Sequence, residues 1–323
     1  MIDFLSKKYY FFGLSLLIIA LGAIFYFING GFNLDIQFQG GTVVQVQTKD
    51  TKFNVSDAEK IVKEAINKKA TVQTLATINS KGKGKLYFMQ ISISSKDALE
   101  GNEQTKLIEA LKADKNMHII ANPEISVENV QASIGQEIMK NGLAAILVSS
   151  LLIIAYIWIR FSVLSGPSAG VMAIIALLHD ILLMLSVYAI FRIKLNEAFI
   201  AAVLTVIGYS MNDTIIIYDR IRENSKLIRK TAITELVNKS ITQTLNRSIN
   251  TVVTVLICII TVFIFAKYNN ITSISEFTEP LIIGITSGCY SSIFIASPLW
   301  VMWKESQYKR NIEGSRKVKA SKA

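Results

Sequence analysis

One aspartate, Asp213, stands in an apolar stretch where a charge is costly. It belongs to IGYSMNDTIIIYDRIREN, residues 207–224, in which an apolar helix runs into a dense charge cluster. Charged groups in hydrocarbon are expensive enough that an acid there usually faces a bundle interior or a water path. From Asp213 to Asp219 the helix rises about 9 Å, so Asp213 lies below the headgroup level if Asp219 and Arg220 mark the surface. That is a long reach for so short a side chain to snorkel.

Ser210 and Thr214 share a helical face with Asp213, and Asn212 lies beside it. Further along, Arg247, Asn250, Thr251 and Thr254 recur at i, i+3, i+4 and i+7, which makes one face of a later apolar helix polar. Two polar faces in one membrane are best satisfied by meeting, so the spacing predicts a seam that places Asp213 near Arg247 and admits water. Such a seam suits proton handling. Desolvation favours the protonated carboxyl, a guanidinium nearby favours the ionised one, and arginine itself does not titrate. The plainer reading of Arg247 is a positive anchor at a helix end. His179 and Asp180 form a third candidate group, in another apolar run. Neighbours on a helix point to different faces, so both are not expected to line one narrow contact. Asp180 is the stronger candidate, because a single hydrogen bond can satisfy a neutral histidine.

Other chemistries find no support. HExxH, GxSxG, Walker and zinc-type Cys/His patterns are absent from the chain, so neither an enzyme nor a metal or cofactor is implied. The GKGK at residues 82–85 lacks the Walker spacing and reads as a solvated hairpin loop. Cys258 and Cys289 both fall in apolar helices and read as packing residues.

The elements that must hold these residues follow from hydropathy. The chain has 323 residues, 51% of them hydrophobic, and four prolines, with a mean hydropathy of +0.41. That is the composition of a multi-span membrane protein. Six apolar runs are expected: residues 9–28, 142–159, 167–191, 198–217, 248–266 and 281–303. Gly284 and Gly288 form a GxxxG in the last of them, a signal for close helix packing.

Net charge is +10, yet residues 31–133 hold thirteen Lys against twelve Asp and Glu. The basic excess therefore flanks the spans, as the positive-inside rule requires, and argues against a nucleic-acid surface. Counting basic residues by side predicts both termini in the cytoplasm. Four parts are expected: residues 1–30, 31–135, 136–303 and the basic tail 304–323, with an amphipathic cytoplasmic segment at 220–246. Ile233, Leu236, Val237, Ile241 and Leu245 give that segment its apolar stripe, which suits a membrane-surface helix or a packed one equally.

The second part, 31–135, is expected to fold outside the membrane. Asn33–Thr42 reads as a short strand meeting the Gly40-Gly41 pair. Strand-like 42–48, a helix at 56–69 with a Ser56/Glu59 capping box, strands at 71–78 and 86–94, a helix at 103–113 and a strand at 125–130 follow. The order βαββαβ is that of a ferredoxin-like α+β domain.

Four of these stretches also resemble a known family. DIQFQGG at 35–41, LLHD at 177–180, GYSMNDTIIIYDRIREN at 208–224 and TLNRSINT at 244–251 are similar to motifs of the SecF family, of the RND superfamily. The resemblance covers almost the whole chain. VQASIGQE at 130–137 departs from it, since the family usually shows Gly-Pro after the valine. What the resemblance implies is a subunit that pairs with SecD and associates with the SecYEG channel. It would use the proton motive force to draw exported polypeptide across the bacterial inner membrane after the SecA steps. On that resemblance Asp213 and Arg247 match the proton-pathway residues, with Asp180 added; His179, Asn212, Ser210, Thr214, Asn250 and Thr251 are accessory candidates. An RND-type exporter of lipids or small molecules and a passive scaffold are the alternatives.

Overall fold

The computed structural model describes residues 3–50, 52–68, 70–78, 85–94, 99–130, 132–160, 166–227, 231–269 and 271–320. The loop at 79–84 with most of GKGK, Gln131 of the departing hinge stretch, and the basic residues Arg229, Lys230 and Lys322 lie outside the described residues.

In chain order the elements are α1 (Lys8–Ile28), α2 (Ile36–Gln39), β1 (Gly41–Thr48), α3 (Val55–Ile66), β2 (Ala70–Ile78) and β3 (Lys85–Ser94). Then come α4 (Gly101–Ala113), β4 (Ile125–Val130), α5 (Ala132–Arg160), α6 (Gly166–Phe191), α7 (Glu197–Leu227), α8 (Ile233–Tyr268) and α9 (Thr272–Ser291). A π turn, Ser292–Ala296, joins α9 to α10 (Ser297–Ala320). Among the described residues six helical stretches are long and apolar enough to cross a membrane: α1, α5, α6, α7, α8 and the continuous α9–α10.

The four strands form one antiparallel sheet in the order β2-β3-β1-β4. Alternation along β1 sends Val44 and Val46 into a core with Met89, Ile91 and Ile93 of β3. Gln45 stays on the other face, where it donates to Gln90 across the strands. Ala58 and Val62 of α3 and Leu107 and Leu111 of α4 close the core from one side.

Two local expectations fail, each for a physical reason. Residues 36–39 form a single helical turn rather than a strand, because the Asp35 side chain caps the Ile36 N–H. Gly40 and Gly41, at φ of 79° and 148°, then swing the chain into β1 in a conformation that side chains with a Cβ rarely adopt. The Ser56/Glu59 capping box is absent: Asn54 caps α3, and Glu59 accepts from the Val72 N–H of β2 instead. Of the two readings open for the segment 220–246, the described residues follow the packed one. Their first turns extend α7, and Leu236, Val237 and Ile241 of α8 are buried in the bundle core.

Sheet and bundle are tied where the chain passes from α1 toward β1. Asp35 N–H donates to the Leu195 carbonyl at 2.9 Å and Leu195 N–H to the Asn33 carbonyl at 2.8 Å, so the chain leaving α1 straps the α6–α7 connection. In the bundle, α6, α7 and α9 make the centre, and their buried Ala173, Leu177, Met184, Val203, Val206 and Ile285 fill it. α1, α5 and α8 lie outside, with large apolar side chains such as Leu16, Leu151 and Ile257 exposed.

Candidate functional site

The packing of α9 on α7 decides what meets Asp180. A Cβ on Gly284 would stand 2.3 Å from Val206 Cγ2, and one on Gly288 would stand 2.8 Å from Ser210 Cβ. Only glycines permit this approach, which is the use the GxxxG spacing has here. It carries the α9 hydroxyls of Ser287 and Ser291 into the space between α6 and α7.

Asp180, 1% exposed, sits at the centre of that space. Its Oδ1 accepts from Ser287 Oγ at 2.6 Å, and its Oδ2 accepts from Ser210 Oγ at 2.7 Å and Ser291 Oγ at 2.8 Å. His179 Nδ1 lies 3.2 Å from Oδ1. Hydrogen bonds to a charged group contribute about 1.5–3 kcal/mol each, so four partners offset a large part of the cost of burying a carboxylate. Beyond them Thr214 Oγ1 and Ser292 Oγ are 2.8 Å apart, and Ser292 also donates to the Ser210 carbonyl. Ser292 opens the π turn, a widened helical turn of the kind that recurs at functional sites.

His179 and Asp180 do share one contact network, against expectation. The imidazole reaches sideways with Nδ1 to its neighbour while Nε2 points away to Ser15 Oγ on α1, at 2.9 Å. Ser15 in turn lies 2.9 Å from the Tyr290 hydroxyl.

Asp213 occupies the other flank of α7. It is also 1% exposed, but its Oδ1 has no hydrogen-bond partner, and neither has the buried Ser248 Oγ of α8. Ser248 and Arg247 are the α8 groups that act on the carboxylate, yet among the described residues no ion pair within 4 Å joins Asp213 to Arg247. Cys289 of α9 and Tyr209 of α7 feel its charge as well. A buried acid left with an open oxygen is costly in its ionised form and far cheaper when protonated.

The expected seam is therefore half assembled. Ser210, Asp213 and Thr214 are buried together, and Arg247 and Ser248 approach Asp213 from α8. Arg247, Asn250 and Thr254 are exposed and Thr251 is half-buried, so the rest of that polar face opens outward from this chain. Asn212 is exposed on α7. Thr251 and Thr254 satisfy their hydroxyls on carbonyls one turn back. Sequence reasoning missed Ser15, Ser287, Tyr290, Ser291 and Ser292. The available signal was the recurrence of serine at 287 and 291, one turn apart and in register with the two glycines.

Comparisons with known proteins bear on the fold and the family. The family described as protein export membrane protein SecD/SecF, C-terminal, matches residues 110–306. Protein translocase subunit SecF of Thermobaculum terrenum is 36% identical over 96% of this chain and 96% of its own length. The SecF subunit of Alicyclobacillus acidocaldarius is 35% identical over 97% and 96%. In Bacillus subtilis the similar protein is a protein translocase subunit SecDF, 32% identical over 96% of this chain but only 39% of that one. A crystal structure of SecDF, a translocon-associated membrane protein from Thermus, superposes with a TM-score of 0.75 at 29% identity and covers 94% of this chain. This chain spans 39% of that one. With its six apolar helices it is a multi-pass membrane protein and a transport component, and it belongs to the SecD/SecF protein-export membrane family as a SecF-type translocase subunit.

Proposed function

We propose that this chain is the SecF half of a proton-driven export motor, with Asp213 as the group that takes up and releases the proton. The observation that carries this reading is the Asp213 carboxyl itself: 1% exposed in a spanning helix, with an unpaired oxygen and a guanidinium-bearing residue on the next helix. A group so placed binds a proton when the seam is dry and releases it when Arg247 or water draws near. Alternate approach and withdrawal of Arg247 couples proton passage to a shift of α8 against α7. Asp180, held by three hydroxyls, is the second acid on the path.

The partner that completes the seam is SecD. The fused relative and the solved SecDF structure each contain a further part about as large as this chain or larger, which must pack somewhere. The exposed polar face of α8 is the surface that needs it, because lipid tails satisfy neither Arg247 nor Asn250. The pair would associate with SecYEG and act on exported polypeptide after the SecA steps. In this reading both termini are cytoplasmic, the membrane is the bacterial inner one, and the sheet domain of residues 31–135 lies outside. Its strand order and two covering helices suit a ferredoxin-like fold.

The test is Asp213→Asn in inverted membrane vesicles carrying the SecD partner. Export that depends on the proton gradient is expected to fall to background while the subunit still inserts and co-purifies. Export at the full rate would overturn the reading.

A further inference from the structure

His179 closes a chain of hydrogen bonds whose direction is forced from one end. Tyr290 has one hydroxyl proton and donates it to the Phe11 carbonyl at 2.6 Å, which can only accept. Ser15 must then donate its own proton to the Tyr290 oxygen across 2.9 Å. With that proton committed, Ser15 can only accept from the imidazole, so His179 Nε2 carries a proton at the 2.9 Å contact. The other ring nitrogen meets Asp180 Oδ1 at 3.2 Å, and a hydrogen bond there needs one proton more. Ser210, Ser287 and Ser291 already donate to Asp180, filling three of the roughly four acceptor sites of a carboxylate. Three hydroxyl donors favour the ionised form of Asp180, and with it the extra proton on the ring.

We propose that His179 and Asp180 together store one proton as an imidazolium–carboxylate pair, and that Ser15 and Tyr290 are positioning residues that report its occupancy to α1. The pair is neutral overall, which suits groups only 8% and 1% exposed in an apolar bundle. When the stored proton leaves, the ring keeps one proton for two partners. Left on Nε2, it would set a bare Nδ1 lone pair against the carboxylate. It therefore moves to Nδ1, Ser15 turns to donate to Nε2, Tyr290 turns to donate to Ser15, and the Phe11 carbonyl loses its donor. No proton beyond the stored one leaves the chain, since the two hydroxyls only rotate. The contact released joins α1 to α9, next to the π turn whose Phe294 ring stacks on Phe11 at 3.7 Å. The titratable neighbour of the pair is Tyr290 of α9, whose ring lies 5.9 Å from that of His179; from α1 the Ser15 hydroxyl faces the ring, and Asp213, with Cys289 near it, lies on the other flank of α7.

The use of this store rests on the proton-driven reading above, but its geometry does not. The chain has two histidines, His118 and His179, so His118→Gln in the sheet domain leaves His179 as a single reporter. The experiment is ¹⁵N NMR of histidine-labelled full-length chain with its SecD partner in lipid nanodiscs near neutral pH. Both ring nitrogens are expected to carry protons. Adding Tyr290→Phe frees the Ser15 proton, and the second N–H signal is expected to disappear in favour of the Nδ1–H form. A parent ring with one proton, or a Tyr290→Phe ring unchanged from the parent, overturns the proposal. If Tyr290→Phe fails to fold, the parent spectrum still decides. Asp213→Asn separates the two claims: export at full rate would sink the motor while leaving the ring assignment standing.

Discussion

Asp180 and Asp213 are equally buried and differently furnished, which gives them opposite expected effects on stability. Replacing Asp180 by Leu strands the Ser210 and Ser287 hydroxyls and one imidazole nitrogen and leaves Ser291 the Gly288 carbonyl, and breaking a buried hydrogen-bonded pair by removing one partner costs about 3–5 kcal/mol. Asp213→Leu removes an acid whose Oδ1 is already unpaired, so the variant is expected to unfold no earlier than the parent while losing proton-driven export. Thermal unfolding of the two purified variants in the same detergent checks this, and an Asp213→Leu protein that melts well below the parent would contradict it. Outside the membrane the titrating residues work differently. The Lys52 N–H, followed by His118, holds the Asp50 carboxyl below its ordinary 3.8, and Lys68, followed by the Glu100 N–H, holds Glu103 below 4.5. A depressed acid contributes stability that is present above the unfolded value and lost as pH falls through the folded one. The protection factors of amides in β1 and α4 of the full chain, taken against the intrinsic exchange rate at each pH, are therefore expected to fall as pH drops below those values. Asp50→Asn with Glu103→Gln should flatten that dependence.

At the scale of helices, the contact between α7 and α9 governs the site. Gly288→Val would drive a methyl into Ser210, at the residue that holds Asp180 Oδ2. Overpacking of this kind costs about 1–3 kcal/mol, and loss of the close approach should release Ser291 from Asp180 as well. The check is lowered thermal stability with reduced export, against a Gly13→Val control, where a Cβ meets nothing within 4 Å. Much of this was legible beforehand: the apolar runs, the two glycines and the isolated Asp213 each carry a cost that only one arrangement relieves. What was not legible had competing local solutions. Asn54 and Ser56 can both cap a helix, and the choice fell to Asn54 because β2 claimed Glu59. Residues 35–39 alternate like a strand, but a capping aspartate and two glycines outweigh that pattern over so few residues. The partnership of His179 with Asp180 was excluded on helical geometry, which fixes where Cβ points and not how far an imidazole reaches.

For the molecule as a whole, the open polar face of α8 is the feature this chain cannot satisfy alone. Arg247, Asn250 and Thr254 are exposed on a spanning helix, and Cys258, also exposed, falls four residues beyond Thr254 on the same face. Polar side chains on a spanning helix are satisfied by another helix and not by lipid, so this face is where the SecD half is expected to dock. Cys258 then serves as a built-in probe, since the chain's other cysteine, Cys289, is half-buried. Labelling of Cys258 with a membrane-permeant maleimide should be rapid when the chain is expressed alone and about tenfold slower, or more, when SecD is co-expressed. A Cys258→Ser variant should abolish the fast phase in both cases, which assigns the signal. Equal labelling with and without the partner would place the interface elsewhere, on α1 or α5, and would leave Arg247 to be satisfied by water alone. In that arrangement a guanidinium could not be moved toward Asp213 by its partner, and the coupling between proton passage and helix motion would have to run through Asp180 and α1 instead.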